Sequence, residues 1–269
     1  IFVHEYFYKL YQMDTNNLSH LAKIISDLAN SNLEQLQGKC QDEKDMQDYY
    51  LGILQKQALL LLDLSTILKN RQSKYISTPY IILRSLLDDF MHLMYLELSN
   101  NKEEEIIKIN AEAYKHCFVS LQNLTDSNYE HFDGKYPFYL KQEEVEKVKN
   151  QFVNKDKNKK YFKEITRFKF KSFMTFNTLV GRINHSREIK IYRDRAYYLW
   201  KEFSEFVHYS TFSFKMEQQD TPENMNKIDE SFQYCYNSIY LSFKYFASEY
   251  DLNFIDNEAL RKRYGIILP

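Results

Sequence analysis

Five glycines and four prolines in 269 residues leave this chain few places to turn tightly. Many-stranded sheets are strung together by hairpins and tight turns that call on Gly, Asn-Gly or Pro, whereas long helices need almost none. The fold class that follows is all-α. A hydrophobic content of 44% beside 27% charged residues supplies a core and lies outside disordered composition. The glycine shortage also leaves no GxGxxG or GxxxxGKS loop to cradle phosphates. We expect a single all-helical domain over 1–269, a bundle of about seven to nine helices.

Helix ends can be read at several places. Asp14 or Asn16–Asn17 breaks the pattern before the stripe Leu18, Leu21, Ile24, Ile25, Leu28. The polar run 37–45 opens a helix extending to about Lys69. Thr78–Pro79 and Thr221–Pro222 each pair an N-cap residue with proline at the first helical position, where its missing N–H is not needed. The first starts a helix to about Leu98, the second a helix over about 222–250. Glu103–Glu105 fall in the first turn of a helix expected to end near Leu124, followed by a loop over 126–139. A charged helix at 140–153 leads into the lysine-rich segment 154–160, expected to be exposed. Residues 161–183 read as one further helix, and 190–209 as another.

The net charge of −1 argues against a globally electrostatic nucleic-acid binder. Cys40, Cys117 and Cys235 are widely separated and odd in number, so reduced thiols in a cytoplasmic protein are expected rather than a disulfide or zinc framework. The longest apolar run, 58–68, is interrupted by Asp63 and is shorter than the ~20 residues of a membrane span. No membrane association is expected.

Polar residues at core positions mark the candidate site. Arg84, Asp88 and His92 are spaced by four in TPYIILRSLLDDFMHLMYLEL, and so are Ser204 and His208 in RAYYLWKEFSEFVHYS, a turn after Trp200. With Arg84 at zero on a helical wheel, Asp88 falls at about 40° and His92 at about 80°, interleaved with Ile81 and Tyr95. Arg84 and Asp88 are spaced for an ion pair, and the two helices could bring Arg84, Asp88, Ser204 and His208 together in a half-buried cluster. One reading is a structural pair that fixes helix register; the other is an anion clamp or a catalytic group. Mid-helix amides are already bonded, so Ser204–His208 has no oxyanion hole beside it, and acyl transfer is not expected. His208 could instead serve as a general base or as a cation facing phosphate. Asp88, His92 and His208 lack HExxH or ExxH spacing, so neither a metal nor any other cofactor is expected.

Between Lys147 and Lys171 ten Lys/Arg stand against two acids. Lys157, Lys159, Lys160, Lys163 and Arg167 alternate there with Tyr161, Phe162, Phe168 and Phe170. Cations interleaved with rings suit single-stranded nucleic acid, while rings turned inward beneath a solvated lysine face give the structural alternative.

The two motif-bearing segments resemble a family of bacterial all-helical proteins that carry Arg-x-x-x-acid on one helix and Ser-x-x-x-His on a later one. The resemblance covers about residues 75–125 and 175–212, and implies that Arg84, Asp88, Ser204 and His208 are the shared polar positions. That family has no assigned reaction, and is itself similar to the HEPN helical bundles. Many of those are dimeric, metal-independent ribonucleases of defence and toxin systems, whose signature is Arg, four to six residues, then His. Here Arg84 to His92 is too long, Arg182 to His185 too short and Arg195 to His208 far too long. Two expectations follow: a non-catalytic, partner-binding component of a bacterial defence or regulatory system, with a protein or RNA partner and a homodimer as one arrangement; or a HEPN-like ribonuclease or nucleotide-binding protein using Arg84, Asp88 and His208.

Overall fold

The computed structural model describes residues 14–40, 44–70, 77–137, 140–207 and 221–268. Among them are nine α-helices, one 3-10 helix and a two-stranded hairpin, so the fold is all-α. The chain forms two compact units, one of residues 1–99 with 176–269 and one of residues 100–175.

In the first unit α1 (Thr15–Glu34) and α2 (Asp45–Lys69) form an antiparallel hairpin. Small residues on the facing sides let their backbones approach. Ser19 Oγ donates to the Ser65 carbonyl and Ser65 Oγ to that of Ser19, both at 2.8 Å, and Ser26 Oγ donates to the Ala58 carbonyl at 2.7 Å. Each hydroxyl is thereby satisfied in a buried seam. Helix α2 is long and apolar enough to cross a membrane by length and composition, unlike the shorter run at 58–68, and 44% of that apolar window is buried within the unit. Helix α3 (Ser77–Glu97) packs against α7 (Arg187–Ser204) and against the long helix α8 (Pro222–Tyr250). The short α6 (Phe176–Arg182) lies against α3. Asn32 ties the chain after α8 back to α1, donating to the Ile255 carbonyl at 2.9 Å and accepting from the Ile255 amide at 3.0 Å. The final helix, α9 (Glu258–Tyr264), is held to α8 by Gln233, which donates to the Tyr264 carbonyl at 2.7 Å.

The Thr221–Pro222 signature marks the start of α8: Thr221 Oγ1 accepts from the Asn224 amide at 3.2 Å and Pro222 is the first helical residue. Thr221→Ala is expected to lower stability by about 1 kcal/mol, the usual worth of such a cap, while Thr221→Ser leaves it nearly unchanged. Equal urea midpoints for all three proteins would refute this.

The second unit contains α4 (Lys102–Phe132), α5 (Gln142–Val153), the 3-10 helix Asp156–Tyr161, and strands β1 (Phe162–Glu164) and β2 (Lys169–Phe170). Helix α4 begins at the Asn101 cap with Glu103–Glu105 in its first turn. It runs through the expected loop at 126 because Thr125 and Asn128, polar in sequence, are buried and bonded there: Thr125 Oγ1 donates to the Leu121 carbonyl and Asn128 Oδ1 accepts from the Tyr136 amide. Asp-Gly supplies the real stop. Asp133 and Gly134 take left-handed φ values of 52° and 71°, and a side chain at Gly134 would meet the Tyr129 ring at 3.0 Å.

The expected helix over 161–183 is instead an antiparallel hairpin followed by α6, with Phe162 opposite Phe170. Rings decide it. Phe162 and Phe170 stack at 4.4 Å, and with Tyr161, Ile107, Ala111 and Phe118 they form the buried core of this unit. Phe168 closes the hairpin turn at φ 50°, a conformation costing a non-glycine residue about 1–2 kcal/mol. Its ring meets Phe118 at 5.0 Å and Phe162 at 5.3 Å, contacts that hold it there. The lysine-rich segment 154–160 is mostly exposed, yet anchored by Asn158, which donates to the Phe152 carbonyl at 2.8 Å.

Candidate functional site

Helices α3 and α7 bring Arg84 and Ser204 together: Arg84 Nε donates to Ser204 Oγ at 3.2 Å. Ser204 Oγ in turn donates to the Trp200 carbonyl one turn back, at 2.7 Å. The Arg84 guanidinium carbon lies 5.0 Å from the Trp200 ring centroid, a cation–π contact. Trp200 Nε1 donates to Asp88 Oδ1 at 3.2 Å. The expected Arg84–Asp88 ion pair is therefore replaced: the indole stacks under the cation and ties up the acid. His92 Nδ1 donates to the Asp88 carbonyl at 2.8 Å and lies 3.8 Å from Asp88 Oδ2. Phe176 stacks on Trp200 at 4.3 Å and approaches His92 at 5.9 Å, while Tyr197 lies along Trp200 at 5.9 Å. Arg84, Asp88, His92, Trp200 and Ser204 are all half-buried. His208 lies outside the described residues.

On the deeper side of α3 sits an acid that the wheel argument passed over. Asp89 is 9% exposed, its Oδ1 accepts from Lys56 Nζ at 2.9 Å, and its Oδ2 is buried without a partner among the described residues. Burial pushes its carboxyl up to about 6, against the opposing pull of Lys56. The Tyr49 hydroxyl is raised well above its ordinary value, first by burial and then by the charges of Asp89, Tyr50 and Asp88. A sequence signal for Asp89 existed. On the same wheel it falls at about 140°, between Leu96 and Leu93 in the middle of the apolar face.

A second polar group joins α7 to α8, and a ring contact beside it ties α3 to α7. Lys227 Nζ contacts Glu202 at 2.6 Å and Glu223 at 3.0 Å, and the buried Tyr80 ring stacks on Phe203 at 4.2 Å. A groove of 390 Å³ lies on α1 and α2, lined among others by Leu33, Leu36, Cys40 and Leu51, and none of the sequence-derived candidates borders it. The Cys40 thiol there is raised by burial and by Asp48, which keeps it protonated. Cys117 and Cys235 are also free thiols. Among the described residues no three His, Cys, Asp or Glu side chains are grouped to hold a metal ion.

The basic stretch divides by side. Lys157, Lys159, Lys163, Arg167 and Lys169 are exposed and Lys160 is half-buried, whereas Tyr161, Phe162 and Phe170 are buried. Lys159 pairs with Asp156 at 2.7 Å and Arg167 with Glu164 at 3.1 Å. The cations are thus on the surface, and these three rings are spent on the core rather than offered to bases. Comparison of the chain with protein-family models, curated proteins and solved structures found no match.

Proposed function

We propose that this chain is a non-catalytic helical protein that binds a protein partner, acting in the cytoplasm as a component of a bacterial defence or regulatory system. The observation that carries this reading is the way the candidate site is spent on itself. Ser204 gives its proton to its own helix and accepts from Arg84, Trp200 holds Asp88, and His92 bonds the Asp88 carbonyl. The Arg84–Ser204 and Trp200–Asp88 bonds clasp α3 to α7, and among the described residues no activated hydroxyl is left, since a serine nucleophile needs a base at its proton. Neighbouring exposed rings near the end of α4 add support, because contiguous apolar surface marks interaction sites. Tyr129 and Phe132 are 50% and 46% exposed, and Phe132 lies 5.1 Å from the exposed Tyr136.

The test is incubation of the purified chain with labelled single-stranded RNA and with nucleoside triphosphates. Both should remain intact at every protein concentration. Turnover by the wild type that disappears in both Arg84→Ala and Ser204→Ala would overturn the non-catalytic reading in favour of a nuclease or nucleotidase.

A further inference from the structure

We propose that Arg84, held in place by Ser204 and Trp200, is the receptor for a single carboxylate presented by a protein partner. The inference rests on the partner-binding reading and names the chemistry that the partner brings.

Arg84 stands apart among the arginines of the described residues. Arg167, Arg193, Arg195, Arg261 and Arg263 each have a carboxylate within ion-pair distance. Arg182 and Arg187 have none but stand exposed in water. Arg84 is half-buried and, among the described residues, has no carboxylate partner, although Asp88 lies one helical turn away. That acid is diverted to the Trp200 indole, so the cation's natural counter-charge is built out of reach. A partly desolvated guanidinium without an anion is unfavourable, and an incoming anion relieves it.

The guanidinium is also oriented in advance. Its Nε is fixed by Ser204, whose own proton is fixed by the Trp200 carbonyl, and its plane is supported by the Trp200 ring. Its Nη1 and Nη2 make no hydrogen bond among the described residues. Those two nitrogens form the end-on fork that matches the two oxygens of a carboxylate. The rotamer entropy usually lost on forming such a pair is then largely spent in the free protein.

Charge decides between a carboxylate and a polyanion. Asp88 and Asp89 follow Arg84 within five residues, and Glu202 and Glu205 flank Ser204. Of the nearby lysines, Lys56 is bound to Asp89 and Lys227 to Glu202 and Glu223. With Asp89 and Glu202 neutralised by those lysines, Asp88 is the acid left in the Arg84 cluster, and one guanidinium beside one acid suits a single negative charge better than a chain of phosphates.

Trp200 is the only tryptophan in the chain, so intrinsic fluorescence reads this site directly. Sodium acetate, titrated against sodium chloride at equal ionic strength, should give a saturable change with a midpoint of roughly tens of millimolar, the strength of one isolated ion pair. Arg84→Gln should abolish the response. Arg84→Lys, which keeps the charge and loses the fork, should weaken it about tenfold. Ser204→Ala, which retains the cation but frees its Nε, should weaken it about threefold and guards against a folding defect in the Arg84 variants. N-acetylglycine and N-acetylglutamic acid amide then separate a chain-end carboxylate from a side-chain one. No saturable response to any of these carboxylates would overturn the proposal, and so would tighter binding of inorganic phosphate than of acetate. Neither result touches the non-catalytic reading, which fails only on substrate turnover.

Discussion

Asp89→Asn is expected to stabilise the protein by about 3 kcal/mol at pH 7.5, and by only about half as much at pH 5. The carboxyl of Asp89 is raised to about 6 in the folded chain, mainly by burial, with Asp88 adding and Lys56 and His92 opposing. The unfolded carboxyl titrates near 3.9. The folded state therefore holds this proton more tightly, so the stability contributed by the neutral acid is fully present below about pH 4. It declines as pH rises towards 6, and above that Asp89 is ionised in both states and the whole difference is lost. Asparagine copies the neutral form at every pH and keeps an oxygen for the Lys56 ammonium. Lys56 is 37% exposed, so water can solvate it once its counter-charge is gone. The groups around the carboxylate are Lys56 and Tyr49 on α2, Asp88 and His92 on α3, and Cys235 on α8. Urea unfolding of both proteins at the two pH values is the measurement. A gain that is equal at both, or a loss at pH 7.5, would show that the ionised Lys56–Asp89 pair holds the fold together instead.

The same acid shows where sequence reasoning stopped. Some helix starts were legible from local rules: Thr221–Pro222 opens α8, Asp14 precedes α1 and Glu103–Glu105 fall in the first turn of α4, whereas Thr78–Pro79 does not open α3, which already includes Ser77. Spacing by four was enough to bring Arg84 to Ser204 across two helices, at 3.2 Å. It was not enough to pair Arg84 with Asp88, because side chains of α3 compete with those of another helix, and Trp200 offers the acid a donor and the cation a ring. Asp89 was overlooked for a related reason. Adjacent acids differ by about 100° on a helix, so one can face water while the other faces the core. The hairpin at 162–170 depends on Phe118 and Phe152, residues tens of positions and roughly ten positions before it. A helical period can be traced through 161–183, but only long-range ring packing says that these side chains are buried as a hairpin.

That packing sets the second large effect. Phe162→Ala is expected to destabilise residues 100–175 by about 3–5 kcal/mol, the usual range for emptying a buried phenylalanine site. The Phe162 ring lies 4.4 Å from Phe170, 5.3 Å from Phe168 and 6.0 Å from Phe152, so its removal opens a hole bordered by three other rings. A unit of this size has roughly 4–11 kcal/mol in all, and one substitution would consume much of it. Among the described residues the hairpin has no second sheet to fall back on, and two strands alone are marginal in water. Amide exchange at Phe162, Phe170 and Lys171, whose N–H donates to the Tyr161 carbonyl at 2.8 Å, should accelerate by about a hundredfold or more if opening follows the lost stability. Phe162→Leu, which keeps most of the volume, should cost about 1–1.5 kcal/mol. Lys163→Ala, one residue on and exposed, should change stability by less than about 0.5 kcal/mol. If Lys163→Ala proved as damaging as Phe162→Ala, the hairpin would be held by its surface charges, and the inward placing of these rings would have to be given up. The ordering Phe162→Ala, Phe162→Leu, Lys163→Ala is what an aromatic core beneath a solvated basic face requires.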